Sequence, residues 1–351
     1  MAAFKFKRDG LVKPRFWRSI KRAISLLLLV VLLTTGAAAW WLSQPLPLRQ
    51  ASVDLSVEPG QSVRTIAQSA VAAGVDVPAS VLYYLFKLSG QSRQIRAGSY
   101  EINANTSAWD LLQKLVRGEE NLRSITLVEG WTWQQVRQAL NKSDHLKHDS
   151  ASLSDEEVMS HLGLAGVAPE GRFFPDTYMV GKGTSDLKLL QRAAQAMQRQ
   201  LSLAWETRDM GLPLKSADEA LILASIIEKE TGLVSDRPMI SSVFINRLRI
   251  NMPLQTDPTV IYGLFERFDG NLRRVDLQTD HPWNTYTRRG LPPTPIAMPG
   301  KGALHAALHP ATSQALYFVA RGDGSSQFST NLDDHNTAVN RYQRGQSAKA
   351  Q

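Results

Sequence analysis

Cysteine is absent from the 351 residues. No disulfide framework can staple this chain, and no thiolate can act as its nucleophile or metal ligand. Positive charge is scarce where nucleic-acid binding would need it. The formal net charge is +8, but Lys5, Lys7, Arg8, Lys13, Arg15, Arg18, Lys21 and Arg22 face only Asp9 before residue 23. That leaves the rest of the chain close to neutral, with no extended basic face for a phosphate backbone, so no nucleic-acid partner is expected. Hydrolase signatures are missing too. No Gly-x-Ser-x-Gly elbow occurs, and the pair His305 and His309 has Ala306 where a zinc peptidase needs its glutamate. His281 and His335 do not complete a recognisable metal set, so neither a metal nor another cofactor is expected.

Charge is also missing from residues 23–42, and there the absence is informative. About 20 apolar residues suffice to cross a bilayer, and Trp40 and Trp41 stand where an interfacial aromatic belt would lie. The basic residues ahead predict a cytoplasmic tail over 1–22, a transmembrane helix over 23–42 and export of everything beyond. A cleaved signal peptide, with Ala37–Ala39 as its small-residue site, is the competing reading; the apolar run is long for one. Pro45 and Pro47 then make a stiff spacer.

Residues 51–57 alternate, putting Val53, Leu55 and Val57 on one side of a strand. Pro59 and Gly60 turn the chain, and Ser62 caps a helix running to about Ala73. A second helix covers 79–88, a short strand 99–102, and Thr106 caps a third helix holding Trp109, Leu112, Leu115 and Val116 up to Gly118. A strand over 125–128 leads through Gly130 to Thr132 and Gln135, a capping box. Residues 141–160 are polar and read as linker or surface helix.

The chemistry gathers around residues 221–232. Ser216 and Glu219 have the spacing of a capping box, an apolar helical pattern follows, and Gly232 is a natural stop. At roughly 100° per residue, Leu223, Ile226, Ile227 and Glu230 share one side, whereas Glu228 falls beside Leu221, Ala224 and Ser225. A carboxyl group completing an apolar stripe is desolvated, which raises its pKa and suits it to general-acid work. On pattern alone, both glutamates also fit a solvated last turn.

Downstream loops favour the first reading. Glu170 lies in an aromatic stretch punctuated by Pro169, Gly171 and Pro175. Asn246 and Arg247 interrupt an apolar helix over 240–248. Gln255, Thr256 and Asp257 crowd one turn, and His281 to Tyr286 precede the run Gly290 to Pro295. A hairpin is expected across Gly322, Asp323 and Gly324. Rigid loops presenting amides, hydroxyls and aromatic rings suit a sugar polymer.

Five runs go further: Ala224-Ser225-Ile226-Ile227-Glu228-Lys229-Glu230-Thr231, Ser242 to Leu248, Leu254 to Gly263, Asn284-Thr285-Tyr286 and Gly290-Leu291-Pro292-Pro293. Together they resemble the endolytic murein transglycosylase family, the YceG-like proteins, over about residues 51–345. The resemblance implies an α+β architecture: a single N-terminal transmembrane helix, a small LysM-like βααβ domain over 51–120 and a larger α+β catalytic domain over 121–345. It implies an inner-membrane enzyme with its catalytic domain in the periplasm, acting on peptidoglycan glycan strands beside peptidoglycan synthases. The bond cut would be MurNAc-β-1,4-GlcNAc, the product would end in 1,6-anhydro-MurNAc, and strand elongation would be terminated. It assigns the catalytic role to Glu230, the residue that the helical pattern also selects, with Glu228 in reserve. Gln255, Asn246, Asn284 and Tyr286 are the expected sugar-holding side chains. Glu170 and Asp257 stand as assisting carboxylates, Asp257 ahead of Pro258 being equally a turn cap. A non-catalytic glycan-binding scaffold is the alternative.

Overall fold

The computed structural model describes residues 14–344. Most of the expected basic tail over 1–22, and residue 345, lie outside the described residues. Helix α1 (Pro14–Ser43) contains Ile20–Ser43, among the described residues the one helix long and apolar enough to cross a membrane. The chain divides into two compact units between Asn121 and Leu122.

In the first unit β1 (Ser52–Val57) is followed by α2 (Val63–Ala73), α3 (Ala79–Leu88), β2 (Gly98–Asn103) and α4 (Ala108–Arg117). The two strands pair antiparallel, with Leu55 opposite Tyr100 and Val53 opposite Ile102. All four of these side chains are buried, as the period-two pattern requires. Ser62 caps α2 as expected. Helix α4, however, is capped by Ser107, whose hydroxyl accepts the Asp110 N–H while the Asp110 carboxylate accepts the Ser107 N–H. The Thr106 hydroxyl instead accepts the Asn103 N–H, closing the preceding turn. The buried side of α4 carries Ala108, Leu111, Leu112 and Leu115, whereas Trp109 faces outward and is 42% exposed.

In the second unit β3 (Leu122–Thr126), α5 (Trp133–Asn141), β4 (Leu146–Lys147), α6 (Asp155–His161), β5 (Thr177–Gly181) and β6 (Thr184–Ser185) precede the long α7 (Asp186–Glu206). Strands β3 and β5 are antiparallel, and β4 with β6 forms a two-residue parallel pair. Of the two readings of residues 141–160, the surface helix is the one found, as α6 with most of its residues exposed and one side packed inward. Val158 and Met159 of α6 are fully buried, and the buried Asp186 carboxylate accepts both the N–H and the hydroxyl of Ser150. Polar composition hid this because most of the polar side chains are exposed and few residues, among them Val158, Met159 and Ser150, turn inward. The core here centres on Trp133 stacked on Phe173 at 4.9 Å.

A second core surrounds α8 (Ala217–Glu230), against which α9 (Arg237–Arg249), α10 (Asp257–Leu264) and α12 (Lys301–Leu308) pack; α11 (Arg274–Gln278) lies between α10 and α12 in sequence. The hairpin β7 (Tyr317–Ala320) and β8 (Ser326–Ser329) forms where expected, and α13 (Leu332–Val339) follows. Every residue of α8 from Ala220 to Ile227 is buried, so it is a central helix rather than one with a single apolar stripe. Ser216 caps it, but Glu219 accepts the Lys215 N–H at 2.6 Å instead of closing a box with Ser216. Its end also differs from expectation: Glu230 is the last helical residue, and Thr231 is already extended, ahead of Gly232.

Candidate active site

Glu230 therefore stands at the open end of a buried helix, half-exposed as a residue, with its carboxyl drawn inward. What meets it comes from the segment before α10. Gln255 has φ +50°, a left-handed conformation that a non-glycine residue holds only under tertiary constraint. That twist aims the side chain of Thr256 inward, and its hydroxyl donates to Oε1 of Glu230. Thr256 is itself fixed from behind. Its N–H donates to Oγ1 of Thr285 at 3.0 Å, and its carbonyl accepts Oγ1 of Thr259 at 2.8 Å. Thr256, Thr259 and Thr285 are all buried.

Arg247 holds the same segment from the other side. It is buried on α9, donates to the carbonyls of Leu254 at 2.8 Å and Leu316 at 2.7 Å, and reaches Oε1 of Gln255 at 3.5 Å. Its guanidinium also lies over the Tyr317 ring. Asp257 opens α10, and its carboxylate accepts the Tyr286 hydroxyl at 2.5 Å. Burial is the chief cause that lifts Glu230 from the usual carboxylate value to about 7. The Thr256 hydrogen bond and the Arg247 charge oppose the rise, and the Asp257 charge adds to it. Tyr286 is pushed up mainly by its own burial, then by Asp257.

The other expected site residues divide. Gln255 and Asp257 are exposed beside Glu230, and Tyr286 joins them through Asp257. Asn246 does not present its amide to a ligand: Nδ2 donates to the carbonyls of Ser313 and Ala315, tying α9 to the segment that leads into β7. Asn284 is fully buried, donates to the carbonyls of Asp276, Leu277 and Thr279, and accepts the N–H of Tyr286 at 2.9 Å. It shapes the loop that carries Tyr286. Glu228 pairs with Arg237 at 2.8 Å, their side chains being 5% and 8% exposed, and accepts the Gly300 N–H at 2.8 Å.

Glu170 lies elsewhere, on the wall of a cleft of about 1070 Å³ that also takes in Trp133, Lys229, Tyr262, Phe265 and Trp283. Its carboxylate accepts the Trp133 N–H, and burial raises it to about 7. Phe265 is another residue with φ +50°, a costly conformation for so bulky a side chain, and its ring is 57% exposed against Tyr262 and Trp283. The rings of His305 and His309 lie 4.4 Å apart and tilted, and His309 Nδ1 lies 2.9 Å from Asp209.

Thr256, Thr285 and Arg247 are the members of this site that sequence reasoning missed. Arg247 had a readable signal: it follows Val243 and Phe244 at helical spacing, on the inward side. The threonines had none, because their role depends on the twist at Gln255.

A family model described as the YceG-like family matches residues 55–341. The chain belongs to that family. It is 33% identical over 314 residues to the endolytic murein transglycosylase of Bacillus subtilis (strain 168), covering 84% of this chain and 85% of that protein. The endolytic murein transglycosylase of Streptococcus pneumoniae (strain ATCC BAA-255 / R6) is 27% identical over 326 residues, 82% of this chain and 58% of its own length. Among solved structures, a YceG-like protein from Listeria monocytogenes aligns with TM-score 0.50 and 29% identity over 82% of this chain and 98% of that one.

The electrostatics of this YceG-like site are open to direct measurement. Asp257→Asn removes the charge that raises Glu230, so its midpoint falls below about 7. Thr256→Val removes the hydrogen bond that lowers it, so the midpoint rises. Each displacement should be about one pH unit, read from the carboxyl carbon of Glu230 by NMR titration. Displacements of the opposite sign would mean that other groups set this pKa.

Proposed function

We propose that this chain is an endolytic murein transglycosylase that cleaves the MurNAc-β-1,4-GlcNAc bond within nascent glycan strands. The observation that carries the reading is Glu230: a desolvated carboxyl group near pKa 7, oriented through one oxygen by Thr256. With Oε1 engaged as acceptor, the proton of the neutral acid resides on Oε2, free for the glycosidic oxygen. Glu230 gives up that proton as the bond from the MurNAc anomeric carbon to the leaving oxygen breaks. The N-acetyl carbonyl of the same sugar shields the developing positive charge. The Glu230 carboxylate then takes the proton of the MurNAc 6-hydroxyl while that oxygen closes on the anomeric carbon. The acid is regenerated and no water is consumed. One carboxyl group suffices because the nucleophile belongs to the substrate and is already near.

Gln255, Asp257 and Tyr286 are the groups positioned to orient the sugar, and Arg247 and the buried threonines hold Glu230 and its loop in place. The roles proposed for Asn246, Asn284 and Glu228 are indirect, through the loops and helix ends that they fix. The aromatic cleft beside Glu170 suits further sugars of the strand, with rings for their apolar faces and Glu170 as a polar partner. The apolar helix over residues 23–42 supports a membrane anchor with the remainder in the periplasm, and the antiparallel β-α-α-β order over 51–120 supports a LysM-like module ahead of a catalytic domain over 121–345. Strand termination beside peptidoglycan synthases is the cellular role that fits.

Mass spectrometry of products from isolated nascent peptidoglycan tests the reaction. Internal cuts with ends one water lighter than a reducing sugar are expected. Reducing ends would establish hydrolysis instead, and uncut strands that remain bound would favour a scaffold.

A further inference from the structure

The C-terminal end of α1 shares an apolar groove of about 390 Å³ with α3 and α4, walled by Ala38, Trp41, Leu42, Tyr84, Leu88 and Trp109. Its rim is greasy and open: Tyr84 is 58%, Leu88 81% and Trp109 42% exposed. Helix α3 explains why. Leu82 and Phe86 fill the core of the first unit, so its other side, bearing Tyr84, Leu85 and Leu88, is a second apolar face. A helix apolar on two sides calls for cover on both, and a contiguous exposed apolar patch marks an interaction surface.

The level of this face relative to α1 is fixed. Trp41 and Leu42 pack against the core of the unit, and bridges join Pro45 to Ser107 and Leu48 to Val75. The inference rests on α1 spanning a membrane, as proposed above. Arg22 is the last charge before the apolar run and Arg49 the next one after it. At about 1.5 Å per residue, a hydrocarbon layer of about 30 Å entered at Ala23 ends near Leu42. Ala38 is then roughly 6 Å inside the apolar layer. A groove with Ala38 and Leu42 on one wall cannot stand clear of the bilayer, and its opposite wall meets the lipid at the same depth.

We infer that the α3–α4 face of the first unit docks on the phospholipid bilayer itself, with Leu88 among the upper acyl chains and Tyr84 and Trp109 at headgroup level. Amphipathic aromatic rings favour that depth, and continuity with α1 selects lipid over a separate protein partner. The first unit then lies against the membrane instead of swinging on a free stalk.

The lack of cysteine makes the test simple. Leu88→Cys, at an exposed position, carries an environment-sensitive nitrobenzoxadiazole label in the full chain. Gln68→Cys is the control, exposed on α2 and outside the groove. Both proteins are placed in phosphatidylethanolamine–phosphatidylglycerol liposomes, with or without lipid bearing a doxyl quencher near its headgroup. The label at 88 is expected to shift to the blue and lose about half of its emission to the doxyl lipid, while the label at 68 is unchanged. Equal behaviour at both positions overturns docking. So does a label at 88 shielded from doxyl lipid and aqueous iodide alike, because a second copy of the chain then covers the groove. Extraction with alkaline carbonate separates the two readings. Protein released from the liposomes defeats the anchor and the docking with it; protein that resists release but stays unquenched at 88 defeats docking alone.

Discussion

Glu230→Gln should lower the rate of strand cleavage by about 10³-fold or more, since the proposed mechanism has one side chain act as acid and then as base. Anhydro ends should disappear from the product spectrum, while glycan binding persists because the amide keeps the shape and still accepts the Thr256 hydrogen bond. The same variant should be more stable than the parent at high pH. Burial holds the Glu230 proton to about pH 7, whereas the unfolded chain releases it near 4.5. Below the lower value both states are protonated and this carboxyl group makes no difference. Between the two the folded state keeps a proton that the unfolded state has lost, so stability falls as pH rises. Above about 7 the native protein holds an ionised group that it disfavours, by up to about 3 kcal/mol. Glutamine has nothing to ionise, so thermal unfolding should show the variant ahead at pH 8 and level with the parent at pH 4. A variant that still yields anhydro ends at the parent rate would remove Glu230 from the chemistry. Equal stability at pH 8 would show that the carboxyl group is solvated.

The two halves of that expectation had different visibility in the sequence. Helical spacing put Glu230 on one side with Ile226 and Ile227 and so offered its desolvation as one of two readings. The helix α3 was plainer, because Val81, Leu82, Leu85 and Phe86 recur at helical spacing over 79–88. The pattern could not say that Leu221, Ala224 and Ser225 are buried too. It therefore set Glu228 apart from the apolar stripe without a partner, where the structure has it paired inside with Arg237. Asn246 and Asn284 were selected because amides suit sugars. Amides suit backbone carbonyls equally well, and the choice between them depends on which loop ends come near, a property of tertiary structure. Thr256 reaches Glu230 only through a φ of +50° at Gln255, and composition does not mark glutamine for that conformation.

The pairing of Glu228 with Arg237 gives the largest expected effect on folding. The two charges are almost wholly removed from water, and the carboxylate also accepts the Gly300 N–H, so one side chain joins the ends of α8, α9 and α12. Burial raises the pKa of Glu228, and Arg237 and the Gly300 hydrogen bond hold it down. Arg237→Met leaves that carboxylate buried without its counter-charge and should cost about 3–5 kcal/mol in urea unfolding at pH 7. Adding Glu228→Gln removes the orphaned charge while keeping an acceptor for Gly300, so the double variant should recover most of the loss. No recovery would mean that the guanidinium matters for its packing against Gly302 and not for its charge. The double variant also separates the two glutamates. If Glu228 only fixes the turn from which Glu230 projects, the folded double variant keeps the pH midpoint of the parent and loses turnover modestly. A displaced midpoint would give Glu228 a share in the proton transfer, and a loss as deep as that of Glu230→Gln would exchange their roles.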